Sequence, residues 1–340
     1  MRVVIIAGGM GTRMRPHTFS HTKALVNVAG KPVLGHILDE LLQIPIEQVI
    51  FITGYLGYQI EPYIKEVYPN LKAAYVEQPV PLGQSHAVKL AAEYLAGPCI
   101  TMFADTLFEA DLQQLTSATH DGVMYVQPVP DPSRFGIAVP GPDGYVKKMV
   151  EKPQQPESNL AVIGLYYFRE GEWLARAVSA LIERDIKTKG EFYLADAIQI
   201  MIDEGAKFTT SEAQVWEDTG TPYALLHSNR YLLRRHNTHG NAPYLQGSSV
   251  VIPPCYIHDS AKLEHSVIGP YATINAGVTV QGSIVRNSII NTNAQLHNVS
   301  LSASIVGDKA IVRDAYRTFN VGDNSEIGAE TSAEIDETFK

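Results

Sequence analysis

The sequence predicts an α/β domain with a mainly parallel sheet, followed by a short β-helix. Two observations carry this expectation. Short apolar runs alternate with segments of helical apolar spacing through residues 1–236, and aliphatic residues then recur every six positions over 250–330. Between them, 237–249 is polar and holds Gly, Pro and Asn, which reads as a linker.

The first strand is Val3-Val4-Ile5-Ile6-Ala7, ended abruptly by Gly8-Gly9-Met10-Gly11-Thr12-Arg13. Three glycines in four residues turn the chain sharply and leave backbone N–H groups uncovered. A row of such groups makes an anion-binding hollow, and Arg13 places a fixed positive charge beside it. A plain strand-to-helix turn with incidental basic residues fits the glycines equally well. The spacing is neither G-x-G-x-x-G nor G-x-x-x-x-G-K-[ST], so neither a dinucleotide fingerprint nor a P-loop is indicated.

Further along, Val33, Leu34, Ile37, Leu38 and Leu41 share one helical face, after Lys23 and Lys31-Pro32. Strands follow at 49–54, 73–78 and 99–105. A helix built on Ile60, Ile64 and Val67 lies between the first two, and one at 86–95, with Ser85 as its N-cap, precedes the third. The segments 122–129, 136–139, 145–151 and 161–168 look antiparallel and are separated by Pro, Gly and Asp turns. Helices are expected at 170–184, 192–204 (with Glu191 at its start) and 225–235, with a strand at 207–211. Open α/β sheets bind ligands beyond the carboxyl ends of their strands, which gathers Gly8-Gly9, 78–83 and Asp105 at one crevice. The antiparallel middle segment is placed to cover it.

In the C-terminal part the six-residue steps run through Ile257 and Leu263, then Ile268, Ile274 and Val280, then Ile290 and Leu296, Val306 and Val312, and finally Val321 and Ile327. Such a period belongs to a hexapeptide β-helix, each coil burying the column below it. Residues 331–340 form an acidic tail.

A 45% hydrophobic content describes a soluble globular chain, and a net charge of −9 argues against nucleic acid or an anionic membrane as partner. Cys99 and Cys255 have neither metal nor disulfide spacing, which suits a reducing cytoplasm. The N-terminal apolar run is too short for a secretory signal, and nothing approaches the roughly 20 apolar residues of a membrane span.

Among chemically capable residues, Asp105 sits at the end of a buried strand and Asp218 precedes Thr219-Gly220 in a turn; together they could hold Mg²⁺, a hard ion served by one or two carboxylates plus phosphates. Each alone reads as a turn or cap residue. Glu151-Lys152-Pro153 closes a strand, where Lys152 could reach a phosphate and Glu151 accept sugar hydroxyls, or where the pair is simply an exposed charged strand end. His17, His21, His236 and His239 read as surface-loop residues. No Ser/His/Asp or Cys/His set appears, which points to chemistry by positioning and electrostatics.

Several motifs then align in order with one family: 7–13 with Pro16, Thr18 and Lys23, Lys31-Pro32, 78–83, Asp105, Phe135-Gly136, 151–153, 162–166, Gly190-Glu191 and 216–220. On these the chain resembles the sugar-1-phosphate nucleotidylyltransferases, most of all glucose-1-phosphate thymidylyltransferases of a long form. The resemblance implies a Rossmann-like nucleotidyltransferase domain followed by a left-handed parallel β-helix. It also implies attack of a sugar 1-phosphate on the α-phosphate of a nucleoside triphosphate. By the same resemblance Ala7, Gly8, Gly9, Gly11 and Thr12 cradle the nucleotide, with Gln78 and Gly83 near its base. Arg13, Lys23 and Lys152 are the catalytic set. Gly136, Glu151, Lys152, Gly164 and Trp216 serve the sugar phosphate, and Asp105 and Asp218 bind Mg²⁺.

Two departures leave base and sugar open between dTTP and UTP, with glucose 1-phosphate as the expected acceptor. Ala24 stands where thymidylyltransferases usually carry Gln, and Ala104-Asp105-Thr106 replaces Gly-Asp-Asn. A non-catalytic nucleotide-sugar sensor of the same fold is one alternative. The other is a bifunctional enzyme with acyltransfer on the β-helix, for which His258, His265 and His297 are the candidates. The stacked coils are expected to serve as structure and as contacts in a homo-oligomer.

Overall fold

The structure is a computed structural model describing residues 1–237 and 240–314. His239, the steps at Val321 and Ile327 and the tail at 331–340 lie outside the described residues. Four strands, β1 (Arg2–Ala7), β2 (Gln48–Thr53), β3 (Ala73–Glu77) and β4 (Cys99–Phe103), run parallel in the order β4-β1-β2-β3. β1 alternates sides, with Val3 and Ile5 entering one core and Val4 the other. Both faces are therefore covered, and the strand reads as a continuous apolar run.

Helices α1 (Val33–Leu41) and α2 (Ile60–Val67) pack on the first face through Leu34, Ile37, Leu38, Ile60 and Ile64. Helices α3 (Gln84–Leu90), α4 (Gly171–Glu183) and α5 (Leu194–Asp203) pack on the other, through Ala87, Val88, Leu174, Val178 and Ile198. α6 (Pro222–Arg235) starts at a Thr221 cap whose hydroxyl accepts the Ala224 N–H at 3.2 Å.

β5 (Thr106–Glu109) leaves the sheet, and β6 (Gly122–Pro128), β7 (Gly136–Pro140), β8 (Val146–Glu151) and β9 (Leu160–Phe168) return to it. β9 runs antiparallel beside β4 and also pairs with β6 and β7. With β10 (Phe208–Glu212) parallel to β6, nine strands among the described residues make one mixed sheet. The middle segment thus extends the sheet past β4 and becomes a wall of the crevice, where a cover was expected.

Two local expectations give way to tertiary partners. Ser85 is no cap: it sits buried inside α3, and its hydroxyl donates to the Tyr193 carbonyl at 2.8 Å. α5 begins at Leu194, because the Phe192 N–H and carbonyl are already paired with Leu82 and Ser85. Glu191 accordingly bridges Thr188 ahead of the helix.

Apart from Tyr244–Gln246, which pairs antiparallel with Ser249–Val251, the C-terminal strands form three parallel stacks among the described residues. Val250 pairs with Val267, Val267 with Ile284, and Ile284 with Ser300, so a coil takes 17 or 16 residues. A strict hexapeptide repeat would need about 18. The aliphatic steps are therefore sixes mixed with fives, and the strict six-residue reading caught only Ile268 on the third side of the prism, passing over Val251, Val285 and Leu301. Left-handed corners at His265, Gly282 and Asn298 stack on one edge, with φ of 49°, 57° and 55°. Gly and Asn tolerate that conformation best.

Asn229 on α6 joins the two parts. Its Oδ1 accepts the Ala29 N–H at 2.9 Å and the Thr273 hydroxyl at 2.7 Å, and its amide donates to the Tyr271 carbonyl at 3.3 Å. Arg230 and Arg234 lie over the Tyr271 ring. Replacing Asn229 with Leu strands a buried hydroxyl and a backbone N–H. The expected cost is about 2 kcal/mol, read as a lower denaturant midpoint of the full chain. An unchanged midpoint would remove this junction from the cooperative structure. Among the described residues no helix is long and apolar enough to cross a membrane.

Candidate functional site

From β1 the chain steps outward to β2 and β3, then crosses to β4 on the other side of β1. The carboxyl ends of β1 and β4 are thus a topological switch point, and the glycine loop and Asp105 leave the sheet there.

The glycines of this loop answer to different constraints. A Cβ on Gly8 would stand 3.0 Å from the Gln78 Oε1, whereas Gly9 has open space around it and faces a cavity. Gly11 has φ +60°, and its carbonyl accepts the Thr18 hydroxyl at 2.7 Å. Gln78 is buried behind the loop, donating to the Gly83 carbonyl at 3.0 Å with His86 Nδ1 at 3.1 Å. Gly83, at φ +117°, leaves only 2.6 Å between a Cβ and the Phe192 backbone.

Two cavities open here. One of about 300 Å³ is lined by Ala7, Gly9, Gly11, Thr12, Arg13, Lys23 and Asp105. The second, about 680 Å³, is lined by Gly136, Glu151, Lys152, Gly164, Trp216 and Asp218. Arg13, Gln84 and Phe103 line both, so the two are halves of one cleft. Gly8, Gln78 and Gly83 line neither and form the wall behind. Arg13 has no ion-pair partner among the described residues. Arg134, Lys152 and Lys189 join it around the larger half, a cationic lining in a chain of net charge −9.

β11 (Val215–Asp218) runs antiparallel to β5 with Asp218 opposite Thr106, which brings Asp218 beside Asp105. The Thr219 N–H and hydroxyl both donate to the Asp105 carbonyl, at 3.1 and 2.8 Å. Asp218 Oδ1 accepts the Gly220 N–H at 2.7 Å, and Asp105 Oδ2 is ion-paired with Lys23. A Cβ on Gly220 would lie 2.9 Å from the Arg13 guanidinium and 2.7 Å from Asp218 Oδ1, so a side chain there would push both charged ends aside. The described residues hold no cluster of three or more His, Cys, Asp or Glu. With their backbones held together through Thr219, Asp105 lines the smaller half and Asp218 the larger, and two carboxylates flanking an anion hollow in this way fit a hard divalent ion that completes its shell with phosphate oxygens.

On the larger side, Glu151 is mostly buried, and burial pushes its carboxyl up although the Lys152 charge draws it partly back. Lys152 Nζ lies 3.3 Å from Glu151 Oε1, donates to the Tyr193 hydroxyl at 3.0 Å and sits 4.6 Å from that ring's centre. Burial pulls this ammonium down, but Tyr193 and Glu151 outweigh it and the net shift is upward, so Lys152 stays charged. Lys152 has φ 45°, a left-handed backbone that is strained for a side-chain-bearing residue. Gly164 (φ +82°) sits at the register shift of β9, where a Cβ would come 2.3 Å from the Phe103 ring. Trp216 meets Phe135 edge-on at 4.9 Å.

Nothing in the sequence singled out Tyr193, Arg134 or Lys189; Gln84 and Phe103 were visible only as neighbours of motif residues, and Gly220 as the last residue of the 216–220 motif. Two of the histidines read as loop residues are engaged: His21 pairs with Asp308 at 2.9 Å, and His236 stacks on His36 at 6.2 Å.

Known proteins bear on this cleft directly. A glucose-1-phosphate thymidylyltransferase of Streptomyces griseus is 29% identical over 339 aligned residues, covering 93% of this chain and 94% of the relative. AglF of Haloferax volcanii, a UTP–glucose-1-phosphate uridylyltransferase, is 28% identical over 65% of this chain and 92% of its own. A crystal structure described as a candidate glucose-1-phosphate thymidylyltransferase from Bacillus anthracis, in complex with a sucrose, superposes with a TM-score of 0.60 at 25% identity. It covers 71% of this chain and 97% of that one. The family model for nucleotidyl transferases matches residues 2–235, from β1 to the end of α6, a span that holds both halves of the cleft. The chain belongs to the nucleotidyl transferase family.

Proposed function

We propose that the protein transfers a nucleotidyl group from a nucleoside triphosphate to a sugar 1-phosphate, releasing pyrophosphate, with dTTP or UTP and glucose 1-phosphate as substrates. The observation that carries this is the divided cleft with Arg13 lining both halves.

The triphosphate lies on the N–H groups of residues 9–12, with its base against the wall built on Gln78 and Gly83. The sugar 1-phosphate lies in the larger half, its phosphate on Lys152 and its hydroxyls on Glu151 and the backbone around Gly136 and Gly164, with Trp216 closing one side. One of its phosphate oxygens attacks the α-phosphorus. The bond from that phosphorus to the bridging oxygen of the β-phosphate breaks, and pyrophosphate leaves with the electron pair. The nucleophile is already ionised, so no general base is required. Catalysis consists of alignment by Lys152 and of charge stabilisation by Arg13 and Lys23. Asp105 and Asp218 would hold Mg²⁺, which supplies neutralisation of phosphate charge.

Ala24 and Thr106 replace side chains through which thymidylyltransferases read base and sugar, and the relatives named above use two different bases. The reaction takes place in the cytoplasm, in a homo-oligomer for which the β-helix offers flat contact surfaces. The test is pyrophosphate release with Mg²⁺, each nucleoside triphosphate and a panel of sugar 1-phosphates. No release above the protein-free rate across the panel would overturn the reading in favour of a sensor, which binds without turnover.

Glu151 adds a prediction whose sign is fixed by its raised carboxyl. Its stabilising contribution is full below the ordinary glutamate value and is lost as pH rises through the higher folded value. Glu151→Gln escapes that loss. Its melting temperature is expected to gain on wild type from pH 4 to pH 8, while the KM for sugar phosphate rises. A gain toward acid pH would contradict this.

A further inference from the structure

Between Arg13 and Lys23 the chain turns away from the cleft, passing through short 3₁₀ turns at Thr12–Met14, His17–Phe19 and Lys23–Leu25. Its outward part is held from two sides. On one, Gln59 just ahead of α2 accepts the Thr22 N–H and donates to the Ser20 carbonyl, both at 2.8 Å, and Tyr55 donates to the Phe19 carbonyl at 3.3 Å. On the other stands the last described coil of the β-helix. His21 Nε2 meets Asp308 Oδ2 at 2.9 Å, and a Cβ on Gly307 would come 3.9 Å from His17 Nδ1.

The space between this coil and the loop is a cleft of about 540 Å³, separate from the two already described. Its titratable lining groups are His17, His21 and Asp308, so the pair carries the charged contact across it. His21 is two residues from Lys23, whose ammonium reaches Asp105 in the nucleotide half. Asn229 fixes the following turn at Ala29 to the same β-helix.

We propose that His21 and Asp308 are positioning residues, an ion pair through which the β-helix holds the loop carrying Arg13 and Lys23 in its productive place. The β-helix is then part of what makes the site competent, in addition to any contacts between copies. The hydrogen bond that His21 donates to the Asp308 carboxylate favours the charged imidazole, raising it against the effect of burial, while the neighbouring His17 is itself held down by burial and by His21.

The kinetic half of the inference rests on the transferase reading; the structural half does not. The test compares hydrogen exchange and kinetics of the full chain in wild type, His21→Ala, Asp308→Asn and the double variant. A half-exposed pair is worth about a fivefold change. Amides of 14–25 are expected to exchange faster by about that factor in each variant, with β1 and α4 unchanged. kcat is expected to fall similarly while KM for both substrates holds, because Lys23 acts on charge that develops only in the transition state. The double variant should be no worse than either single one, and His21→Lys should recover most of the loss.

Unaltered exchange at 14–25 in Asp308→Asn would overturn the proposal. So would single-variant effects that multiply in the double, or faster exchange spread over the whole chain. If wild type releases no pyrophosphate, the transferase reading fails, and the exchange data still decide whether the pair holds the loop.

Discussion

Arg13→Ala is expected to lower kcat/KM by about a thousandfold while leaving the melting temperature nearly where it was. The two halves of this expectation have separate grounds. Arg13 is exposed into the cleft and has no ion-pair partner among the described residues, so the fold loses little with it. It also lines both halves of the cleft, where charge moves from the α-phosphorus to the departing pyrophosphate. Arg13→Lys should recover only part of the loss, because an ammonium lacks the planar fork that spans two phosphate oxygens. Steady-state kinetics beside thermal melts check this. Parallel loss of stability and activity would make Arg13 a structural residue.

Asp105→Asn is expected to remove activity on the same scale, about a hundredfold to a thousandfold, but with a different signature. On the proposed reading the substitution takes away one of two carboxylates that would hold Mg²⁺, and it removes the ion-pair partner of Lys23. The Lys23 side chain is only 15% exposed and Asp105 32%. An unpartnered ammonium in that setting should cost about 1–2 kcal/mol, between the values for exposed and fully buried pairs. Activity and stability therefore fall together here, whereas Arg13→Ala separates them. Titration with Mg²⁺ should show a higher half-saturating concentration in the variant. Wild-type kcat at the wild-type Mg²⁺ requirement would place the metal elsewhere.

What could be read from the chain followed from how local each cause is. β1 is apolar from Val3 onward because helices cover both faces of the central sheet, and its end is marked by glycines, of which Gly8 lies close to Gln78 and Gly11 takes a positive φ. In the sequence, Asp105 at a strand end and Asp218 in a turn carry no mark of being neighbours. The structure supplies the cause, a two-strand ladder that sets Asp218 opposite Thr106.

Other features depend on residues far away in the chain. Tyr193 reaches Lys152 only because the segment before α5 pairs with the start of α3. Ser85 looked like a cap, but a carbonyl 108 residues on claimed its hydroxyl. The β-helix was legible as a period, yet its coils of 17 and 16 residues hid all but Ile268 on one of its three sides. His21 gave no sign at all, since its partner lies 287 residues away.

The claim at the centre is that two phosphate-bearing substrates meet in one cleft and that the sugar phosphate is the nucleophile. Glucose 1-phosphate carrying heavy oxygen at its non-bridging phosphate positions tests it, with products resolved by mass spectrometry. Every label is expected in the nucleotide sugar and none in pyrophosphate, because the α-phosphorus–oxygen bond of the triphosphate is the one that breaks. Label in pyrophosphate, label lost to water, or pyrophosphate formed without any nucleotide sugar would contradict it.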